Sequence, residues 1–216
     1  EILQSYNSIV EKIVVEEDVN YDIETLKVPS TKDYIQKEIV EKYSDSINEL
    51  TIIGVTGTNG KTTTCYLTYQ MLNKLGIKTA YIGTIGFYYE GFQKELPNTT
   101  PEITAIYSML DQAKENGCTH VVMEVSSQSL EEARIDGLKF TTCAFTNLTQ
   151  DHLDFHKSME NYLNAKLKIF NYLKPNGTMI VNNDDPYAEN FIKDGFNNVT
   201  LGYKENSNIL IKEAHF

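Results

Sequence analysis

A glycine-rich segment that ends in lysine is the feature of this sequence with the most specific chemistry. Residues 54–63 read Gly-Val-Thr-Gly-Thr-Asn-Gly-Lys-Thr-Thr, after a short apolar run and before a helical pattern. Glycines let a backbone approach phosphate oxygens, and a helix N-terminus attracts negative charge. We therefore predict a P-loop in which Lys61 reaches the β- and γ-phosphates of ATP and Thr62 offers its hydroxyl to Mg²⁺. The predicted ATP-binding residues are Gly57, Thr58, Asn59, Gly60, Lys61, Thr62 and Thr63.

The loop departs from the commonest P-loop pattern at one position. That pattern has glycine five residues before Gly60, where this sequence has Val55. A turn with a structural role alone is the alternative interpretation. The two further glycines, the preceding strand and the following helix favour the phosphate loop.

An acidic residue interrupts an otherwise apolar strand pattern. Residues 121–125 read Val-Val-Met-Glu-Val. Burying an unpaired carboxylate is costly, so Glu124 needs a cation or a proton. At the carboxyl end of a parallel strand beside a phosphate loop, Mg²⁺ is the natural partner. The alternative is a core acid that is protonated or held by hydrogen bonds.

A lysine lies on the apolar side of the predicted helix 158–173. Lys166 follows Met159 by seven residues, on the same helical face. It must extend to solvent, pair with an acid or be chemically modified. Addition of CO₂ to its neutral amine would give a carbamate that could bind a metal, whereas a solvent-reaching or salt-bridged lysine is the simpler interpretation.

A histidine-containing segment precedes that helix. Residues 147–156 read Asn-Leu-Thr-Gln-Asp-His-Leu-Asp-Phe-His. The neutral imidazole of His152 could bind a metal ion. His152 and His156 could suggest zinc, but no third ligand follows with suitable spacing. A helix cap or an ordinary surface role is the alternative.

Arg134 is the only arginine among 19 basic residues. Its rigid fork suits phosphate or carboxylate recognition better than lysine does. It precedes a predicted turn at Asp136-Gly137. An ordinary surface arginine remains the alternative.

The elements that must position these residues alternate between strands and helices. Strands are predicted at 51–56, 78–85, 119–125, 140–147, 178–182 and 199–203, and helices at 61–75, 101–116, 158–173 and 187–193. The helix at 101–116 is predicted to carry Pro101 in its first turn. This alternation predicts an α/β fold with a P-loop and a mostly parallel sheet covered by helices on both faces. A strand at 13–17 and a helix at 31–44 predict part of a small α/β domain before a boundary at 44–49.

Composition excludes some classes of protein. The 216 residues carry a formal net charge of −11, which argues against nucleic acid as the main partner. No apolar run is long enough for a membrane helix, and no signal peptide opens the chain. The three scattered cysteines, Cys65, Cys118 and Cys143, are typical of reduced thiols in a cytoplasmic protein.

Taken together, these segments resemble the Mur ligase family, and most closely its UDP-N-acetylmuramoyl-tripeptide synthetase (MurE) type. The resemblance covers about residues 50–205, in the family's order and spacing. It rests on 54–63, Asn-Thr-Thr-Pro-Glu at 98–102, Met-Glu-Val-Ser-Ser at 123–127, Arg-Ile-Asp-Gly at 134–137, Phe-Thr-Asn-Leu-Thr-Gln-Asp-His-Leu-Asp-Phe-His at 145–156, Ala-Lys at 165–166 and Asn-Asn-Asp-Asp at 182–185.

The resemblance implies an ATP-dependent amide ligase of peptidoglycan precursor synthesis. Such an enzyme phosphorylates the carboxylate of UDP-MurNAc-L-Ala-D-Glu, and a diamino acid then attacks the acyl phosphate. Carried over by position, Lys61 binds phosphates, Thr62 and Glu124 hold one Mg²⁺, His152 holds a second, and Lys166 is the family's carbamylated lysine. Lys61, His152 and Lys166 are the predicted catalytic residues, and Thr62, Glu124, His152 and Lys166 the predicted metal ligands. The predicted substrate-binding residues are Thr99, Thr100, Ser126 and Arg134.

The resemblance also implies a domain division. Residues 1–48 would end the N-terminal UDP-substrate domain, 49–205 would form the central ATP-binding domain, and 206–216 would begin a linker to a C-terminal domain. We expect a cytoplasmic monomer without nucleic acid or membrane partners. This segment alone is expected to bind nucleotide weakly and to ligate poorly.

Two positions depart from the family pattern. Gln128 stands where the family has histidine, and an amide cannot titrate. Glu132 stands where close relatives often have an amide. The alternatives are a nucleotide-binding module without catalysis and a ligase that adds glutamate to folate; the segment at 98–102 favours the UDP-MurNAc substrate over a pterin.

Overall fold

The computed structural model describes residues 10–20 and 23–213. Residues 1–9, 21–22 and 214–216 lie outside the described residues. The first two ranges belong to the predicted N-terminal segment 1–48, and the last belongs to the predicted linker 206–216. The chain forms two compact units that divide between Lys42 and Tyr43. In the described part of the chain, no helix has the length and apolar character needed to cross a membrane.

The first unit holds a pair of short parallel strands, β1 (Lys12–Val15) and β2 (Glu24–Lys27). Helix α1 (Thr31–Asn48) starts in this unit. The Glu16 carboxylate accepts hydrogen bonds from the backbone N–H of Thr31 at 2.7 Å and from its hydroxyl at 2.8 Å, which stabilises the helix start. The helix continues four residues past its predicted end at 44, and the domain assignment of residues 1–48 stays a prediction.

The second unit is built on a nine-stranded sheet. Its strands are β3 (Thr51–Thr56), β4 (Thr79–Gly83), β5 (Gly86–Tyr89), β6 (Phe92–Lys94), β7 (His120–Glu124), β8 (Phe140–Phe145), β9 (Leu173–Asn182), β10 (Asn197–Gly202) and β11 (Ile209–Leu210). The spatial order is β11-β10-β9-β8-β3-β7-β4-β5-β6. All neighbours pair in parallel except β4–β5 and β5–β6. The predicted mostly parallel α/β sheet is therefore confirmed, with an antiparallel hairpin at one edge.

The helices of this unit connect the parallel strands. They are α2 (Lys61–Lys74), α3 (Ile103–Glu115), α4 (Ser127–Glu131), α5 (Leu153–His156) and α6 (Met159–Leu167), with 3₁₀ turns at Lys168–Asn171 and Ala188–Phe191. The first helix begins directly after the glycine-rich loop that follows β3. The loop therefore lies at the carboxyl edge of the central strand, where parallel sheets place their ligands.

The core is deepest around β3. Val55 is 1% exposed and packs with Cys65 of α2. Ile52 lies on the opposite face of the strand and is equally buried, at 1% exposed. Residues 53 and 55 therefore face α2, and the sheet centre is covered on both sides. The three cysteines are free and buried, as expected for reduced thiols.

The sheet is less well covered beside β8, β9 and β10. An apolar groove of about 660 Å³ runs from the edge of α2 across these strands. Its walls include Ala144, Ile180, Leu201 and Tyr203, and it opens at Gly60 of the loop. Parallel strands are usually buried on both faces, so this half of the sheet differs from the centre.

Three sequence predictions of local structure are wrong in detail, and one feature was missed. The helix predicted at 158–173 is α6 plus a 3₁₀ turn, because the backbone N–H of Phe140 in β8 donates to the carbonyl of Tyr172 and draws the chain into the sheet. The helix predicted at 187–193 is a single 3₁₀ turn. Pro101 precedes α3, whose N-cap is Glu102, instead of lying in its first turn. The hairpin of β5 and β6 was not predicted.

Candidate active site

The glycine-rich loop turns sharply between β3 and α2. Gly57 has φ 146° and Gly60 has φ 84°, conformations that residues with side chains adopt at a cost. A Cβ atom on Gly57 would come within 1.9 Å of the Thr146 hydroxyl, so glycine is also required by space. The first N–H groups of α2 have no partner within the helix and are available to phosphate oxygens.

Residues after β8 fix the other side of the loop. The Thr58 N–H donates to the Asn147 carbonyl at 2.8 Å, and the Asn59 N–H donates to Asn147 Oδ1 at 2.9 Å. The Thr146 hydroxyl donates to the Asn59 carbonyl at 2.7 Å. The Thr58 hydroxyl contacts the Thr149 carbonyl and the Tyr162 hydroxyl, each at 3.2 Å. Thr58 therefore shapes the loop through its backbone N–H and its hydroxyl. Its direct contact with ATP stays a prediction.

Lys61 begins α2 and bends back over the loop. Its Nζ donates to the carbonyls of Gly57 at 3.0 Å and Thr58 at 2.9 Å. Burial lowers the pKa of Lys61, and the nearby charge of Glu124 opposes that shift. The amine is thus held at the loop by neutral acceptors, which a phosphate could replace.

Glu124 ends β7, next to the loop strand. Val55 and Glu124 are paired across β3 and β7, and the Thr62 hydroxyl donates to Glu124 Oε2 at 2.9 Å. The carboxylate is 0% exposed and accepts three further hydrogen bonds, from the Tyr81 hydroxyl, the Thr84 N–H and the Thr84 hydroxyl. The predicted neighbourhood of the phosphate loop and Glu124 is therefore present in the structure.

The surroundings of Glu124 fit a hard divalent cation. Oxygen ligands suit Mg²⁺, and the Thr62 hydroxyl and Glu124 Oε2 lie side by side next to the helix N-terminus. The carboxylate is satisfied by neutral donors, as the core-acid alternative requires, so its metal role stays a prediction. Among residues 10–20 and 23–213, no group of three or more His, Cys, Asp and Glu side chains that could hold a metal ion is present.

Lys166 lies in the protein interior. It is 1% exposed, and its Nζ donates to the Gly57 carbonyl at 2.9 Å and lies 4.4 Å from the centre of the Tyr162 ring. It makes no salt bridge with any residue that the structure describes. Burial lowers the pKa of Lys166 to about 7, with a contribution from Lys61. The solvent-reaching and salt-bridged interpretations are therefore wrong, because a backbone carbonyl and an aromatic face hold this amine.

His152 lies at the rim of the site. It has φ 51° and precedes α5, and its side chain is 45% exposed. Its Nε2 lies 3.5 Å from Asp151 Oδ2. His156, at the end of α5, is instead buried, and its Nε2 lies 2.8 Å from the Ser127 hydroxyl. The two histidines thus have separate environments, and His152 alone reaches the pocket described below.

The two threonines before α3 have different roles. The Thr99 hydroxyl lies 3.0 Å from that of Thr84. Thr100 is 1% exposed, and its hydroxyl donates to the Glu124 carbonyl at 2.8 Å and accepts from the Ser126 N–H at 3.0 Å. The Ser126 side chain caps α4 by accepting from the Ser129 N–H at 3.1 Å. Thr100 and Ser126 therefore shape the wall beside Glu124, and their contact with substrate stays a prediction.

Arg134 is largely buried, with a side chain 17% exposed, so the ordinary-surface interpretation is wrong. Its Nη1 donates to the Thr100 carbonyl at 3.0 Å. It pairs with Glu102 at 3.2 Å, and its Nε and Nη2 both contact Glu132, the former at 2.7 Å. Two carboxylates therefore compete for this guanidinium before any ligand arrives.

The four predicted substrate-binding residues share one polar pocket of about 280 Å³ with His152 and with Lys61, the one predicted ATP-binding residue in its lining. It is lined by Lys61, Asn98, Thr99, Thr100, Ser126, Gln128, Arg134 and His152. Lys61 and Arg134 both line this pocket, so a ligand in it would meet an amine and a guanidinium. Lys166 is not part of the lining, because it lies behind the loop at Gly57.

Sequence reasoning missed several residues that build the site. Tyr81 and Thr84 bind Glu124, and Asn147 holds the loop. Asn98 and Gln128 line the pocket without having been predicted to bind. A polar hydroxyl in the apolar strand β4 was the one available signal for Tyr81.

Comparison with known proteins gives consistent results. The sequence model of the Mur ligase middle domain matches residues 55–215. The UDP-N-acetylmuramoyl-L-alanyl-D-glutamate–2,6-diaminopimelate ligase of Clostridium perfringens is 41% identical over 184 residues, which are 84% of this chain and 37% of that protein. This chain therefore spans less than half the length of that relative.

Solved structures show a similar fold. A UDP-N-acetylmuramoyl-L-alanyl-D-glutamate–2,6-diaminopimelate ligase matches with a TM-score of 0.74 and 27% identity, over 89% of this chain and 40% of that one. The MurF ligase of Thermotoga maritima, solved in complex with ADP, matches with a TM-score of 0.71 over 100% of this chain and 46% of that one. At 20% identity the second similarity shows the fold alone.

Proposed function

We propose that this chain, which belongs to the Mur ligase family, is the ATP-binding part of an ATP-dependent amide ligase. The reaction would add a diamino acid to UDP-MurNAc-L-Ala-D-Glu in peptidoglycan precursor synthesis. The observation that carries the proposal is the contact between the Thr62 hydroxyl and the Glu124 carboxylate beside the loop. The name of the Clostridium perfringens relative supports the substrate, and it favours this function over glutamate addition to folate.

The proposed reaction has two balanced steps. A carboxylate oxygen of the substrate attacks the γ-phosphorus of ATP, ADP leaves, and an acyl phosphate forms. The amine of the incoming amino acid then attacks the acyl carbon, phosphate leaves, and the nitrogen loses a proton as the amide forms. Most of the catalysis in phosphoryl transfer comes from positioning and charge neutralisation.

The loop residues would bind and orient the phosphates. Lys61 would exchange its contacts with the Gly57 and Thr58 carbonyls for phosphate oxygens, and the first N–H groups of α2 would bind the chain of phosphates. Thr62 and Glu124 are the residues that would hold Mg²⁺. When bound, that ion would supply electrostatic neutralisation of the phosphate charge.

A second ion and a modified Lys166 complete the proposal. The neutral amine of Lys166 would add to CO₂, forming an N–C bond and releasing one proton, so that a negative carbamate replaces the neutral amine. Burial, the absence of an acidic partner among the described residues and a pKa of about 7 support this chemistry. His152 would hold the second Mg²⁺ from the pocket rim.

The part of the pocket that is lined by Arg134 would receive the UDP-MurNAc-dipeptide. Arg134 offers the guanidinium that suits an anionic group of this substrate, and Thr99 lines the same space. Thr100 and Ser126 would support that surface through their mutual hydrogen bond. We further propose the domain division at about residue 48 and a monomer acting in the cytoplasm.

The proposal is tested in the complete gene product that contains this chain. Incubation with Mg-ATP, UDP-MurNAc-L-Ala-D-Glu and either L-lysine or meso-diaminopimelate should release phosphate only when the amino acid is present. Phosphate release without dependence on the amino acid, or none in any mixture, would contradict the ligase function. Glu124→Gln serves as the inactive control.

The role of Lys166 needs a separate experiment. We expect Lys166→Ala to abolish ligation and short carboxylic acids to restore part of it, since they can replace the carbamate. A ¹³C-bicarbonate label should give a carbamate resonance in the wild type and none in Lys166→Ala. Full activity of Lys166→Ala would refute the assignment.

A further inference from the structure

Tyr81 connects an apolar strand to the proposed metal ligand. It lies in β4, which pairs with β7, and its side chain is 0% exposed. Its hydroxyl donates to Glu124 Oε1 at 2.6 Å. Burying a polar group is costly unless it is paired. The phenol of Tyr81 is paired with a carboxylate, whereas the other buried side chains of a strand are usually apolar.

The two oxygens of Glu124 have different surroundings. Oε1 accepts from the Tyr81 hydroxyl and from the Thr84 N–H at 2.8 Å. Oε2 meets only hydroxyls among the described residues, those of Thr62 at 2.9 Å and Thr84 at 3.2 Å. One oxygen is therefore held by the β4 side of the site, and the other is directed towards the phosphate loop.

The backbone beside Tyr81 is shaped for this contact. A Cβ atom on Gly83 would lie 2.2 Å from Glu124 Oε1 and 2.3 Å from the Tyr81 hydroxyl. Any side chain at position 83 would thus displace the phenol, the carboxylate or both. Glycine at this position allows the strand to approach the hydrogen bond closely.

The ring of Tyr81 is held by its neighbours. The rings of Tyr66 and Tyr88 lie 5.7 Å and 5.8 Å away in edge-to-face arrangements, and that of Tyr69 lies 6.3 Å away. Burial raises the pKa of the Tyr81 hydroxyl, and the hydrogen bond to Glu124 adds to this shift. The neighbouring rings therefore hold Tyr81 in the place from which its hydroxyl donates to Glu124.

We propose that Tyr81 is a positioning residue that fixes the orientation of the Glu124 carboxylate, so that Oε2 is presented to the divalent cation. This inference rests on the proposed function, because it assigns a support to the metal ligand of that same site. Removal of the phenol oxygen would leave Oε1 with one donor and allow the carboxylate to rotate away from Thr62. Groups that orient a metal ligand commonly change metal affinity about 10-fold to 100-fold when they are mutated.

The test compares Tyr81→Phe with Tyr69→Phe, the same chemical change in the same cluster of rings. Mn²⁺ is titrated into the complete gene product with ADP present, and free Mn²⁺ is measured by electron paramagnetic resonance. We expect the Mn²⁺ dissociation constant to rise about 10-fold or more in Tyr81→Phe and to stay within about 2-fold in Tyr69→Phe. In steady state, the Mg²⁺ concentration for half-maximal rate should rise by a similar factor, with the KM for UDP-MurNAc-dipeptide nearly unchanged.

Each outcome decides the inference. Wild-type Mn²⁺ affinity in Tyr81→Phe, or equal losses in both variants, would overturn it. Wild-type protein that binds no Mn²⁺ with ADP would refute the proposed function itself, which is a distinguishable result. Should Tyr81→Phe not fold, Tyr81→4-aminophenylalanine keeps a donor at this place: affinity within about 3-fold of wild type supports the inference, and a 10-fold loss contradicts it.

Discussion

Two charged regions meet at one pocket, which Lys61 lines from the first region and Arg134 from the second, and their charged groups have different kinds of partner. In the loop site, formed by Lys61, Thr62, Glu124 and Lys166, the charged groups are buried or nearly so and are bound by carbonyls, hydroxyls and N–H groups. In the Arg134 rim, formed by Glu102, Glu132 and Arg134, opposite charges are partly exposed and pair with one another.

The difference indicates how each region meets a ligand. The charged groups of the loop site are hydrogen-bonded to neutral partners, so a phosphate chain with its metal ion would interact with them in a poorly solvated place, where electrostatic interactions are strong. To bind an anionic ligand, Arg134 must exchange the carboxylate of Glu102 or Glu132 for a group of the ligand. Partly exposed ion pairs of this kind are weak and screened by salt. Substitutions in the loop site should therefore have large effects on stability or ligand binding, and substitutions in the Arg134 rim should have smaller ones.

The largest effect is expected for Lys166→Met. The pKa of Lys166 is about 7 in the folded protein, below the 10.5 of an unperturbed lysine, so between these pH values the unfolded chain binds more protons. The free energy of unfolding of the wild type should therefore rise between pH 7 and pH 10 by on the order of 4 kcal/mol more than that of Lys166→Met. Urea unfolding in CO₂-free buffer measures both slopes, and equal slopes would contradict the buried amine.

Glu124→Gln should have the next largest effect. Loss of the carboxylate charge at the proposed metal ligand should weaken binding of Mg-ATP about 100-fold, while binding of ATP in EDTA changes little. Isothermal titration calorimetry gives both constants. The matched variant is Glu132→Gln, the same chemical change in the rim, and similar losses in the two variants would remove the distinction between the regions.

Arg134→Lys tests the rim directly. Lysine keeps the charge but loses the planar fork that contacts Thr100 and two carboxylates. We expect the KM for UDP-MurNAc-dipeptide to rise about 10-fold, with the KM for ATP within about 2-fold. An effect on the ATP constant alone would place Arg134 with the phosphates instead.

The smallest effect is expected for Glu132→Gln in substrate binding. Removing one of the two competing carboxylates frees Arg134, so the KM for the anionic substrate should fall about 2-fold to 5-fold at low salt. The gain should shrink as ionic strength increases, because salt screens the interaction. A higher KM would show that Glu132 positions Arg134 and does not compete with the ligand.

Sequence alone placed the loop and Glu124 at one edge of the sheet, because parallel strands end together there and a phosphate loop marks that edge. It could not identify Tyr81 as the partner of Glu124, since the two are 43 residues apart and meet only through the pairing of β4 with β7. The acceptor of Lys166 is the backbone carbonyl of Gly57, which no side-chain pattern reveals.

Other differences also arise from contacts between distant segments. The hairpin of β5 and β6 extends the sheet by antiparallel pairing, whereas the alternation of the other elements indicates parallel strands alone. The predicted helix at 187–193 is only a 3₁₀ turn around buried Phe191, whose ring stacks on Phe145 of β8. Periodicity over a short window does not contain such information.

The order of the strands has a consequence for synthesis on the ribosome. The strand that carries the loop, β3, comes before both of its neighbours, β7 and β8. The contact of Thr62 with Glu124 joins residues 62 apart, and that of Lys166 with Gly57 joins residues 109 apart. A nascent chain must therefore emerge beyond Lys166 before the contacts of its phosphate loop are complete, and the apolar strand β3 has no neighbouring strand until β7 has been synthesised. Such long-range parallel pairing folds slowly and leaves apolar strands exposed to aggregation until it is complete.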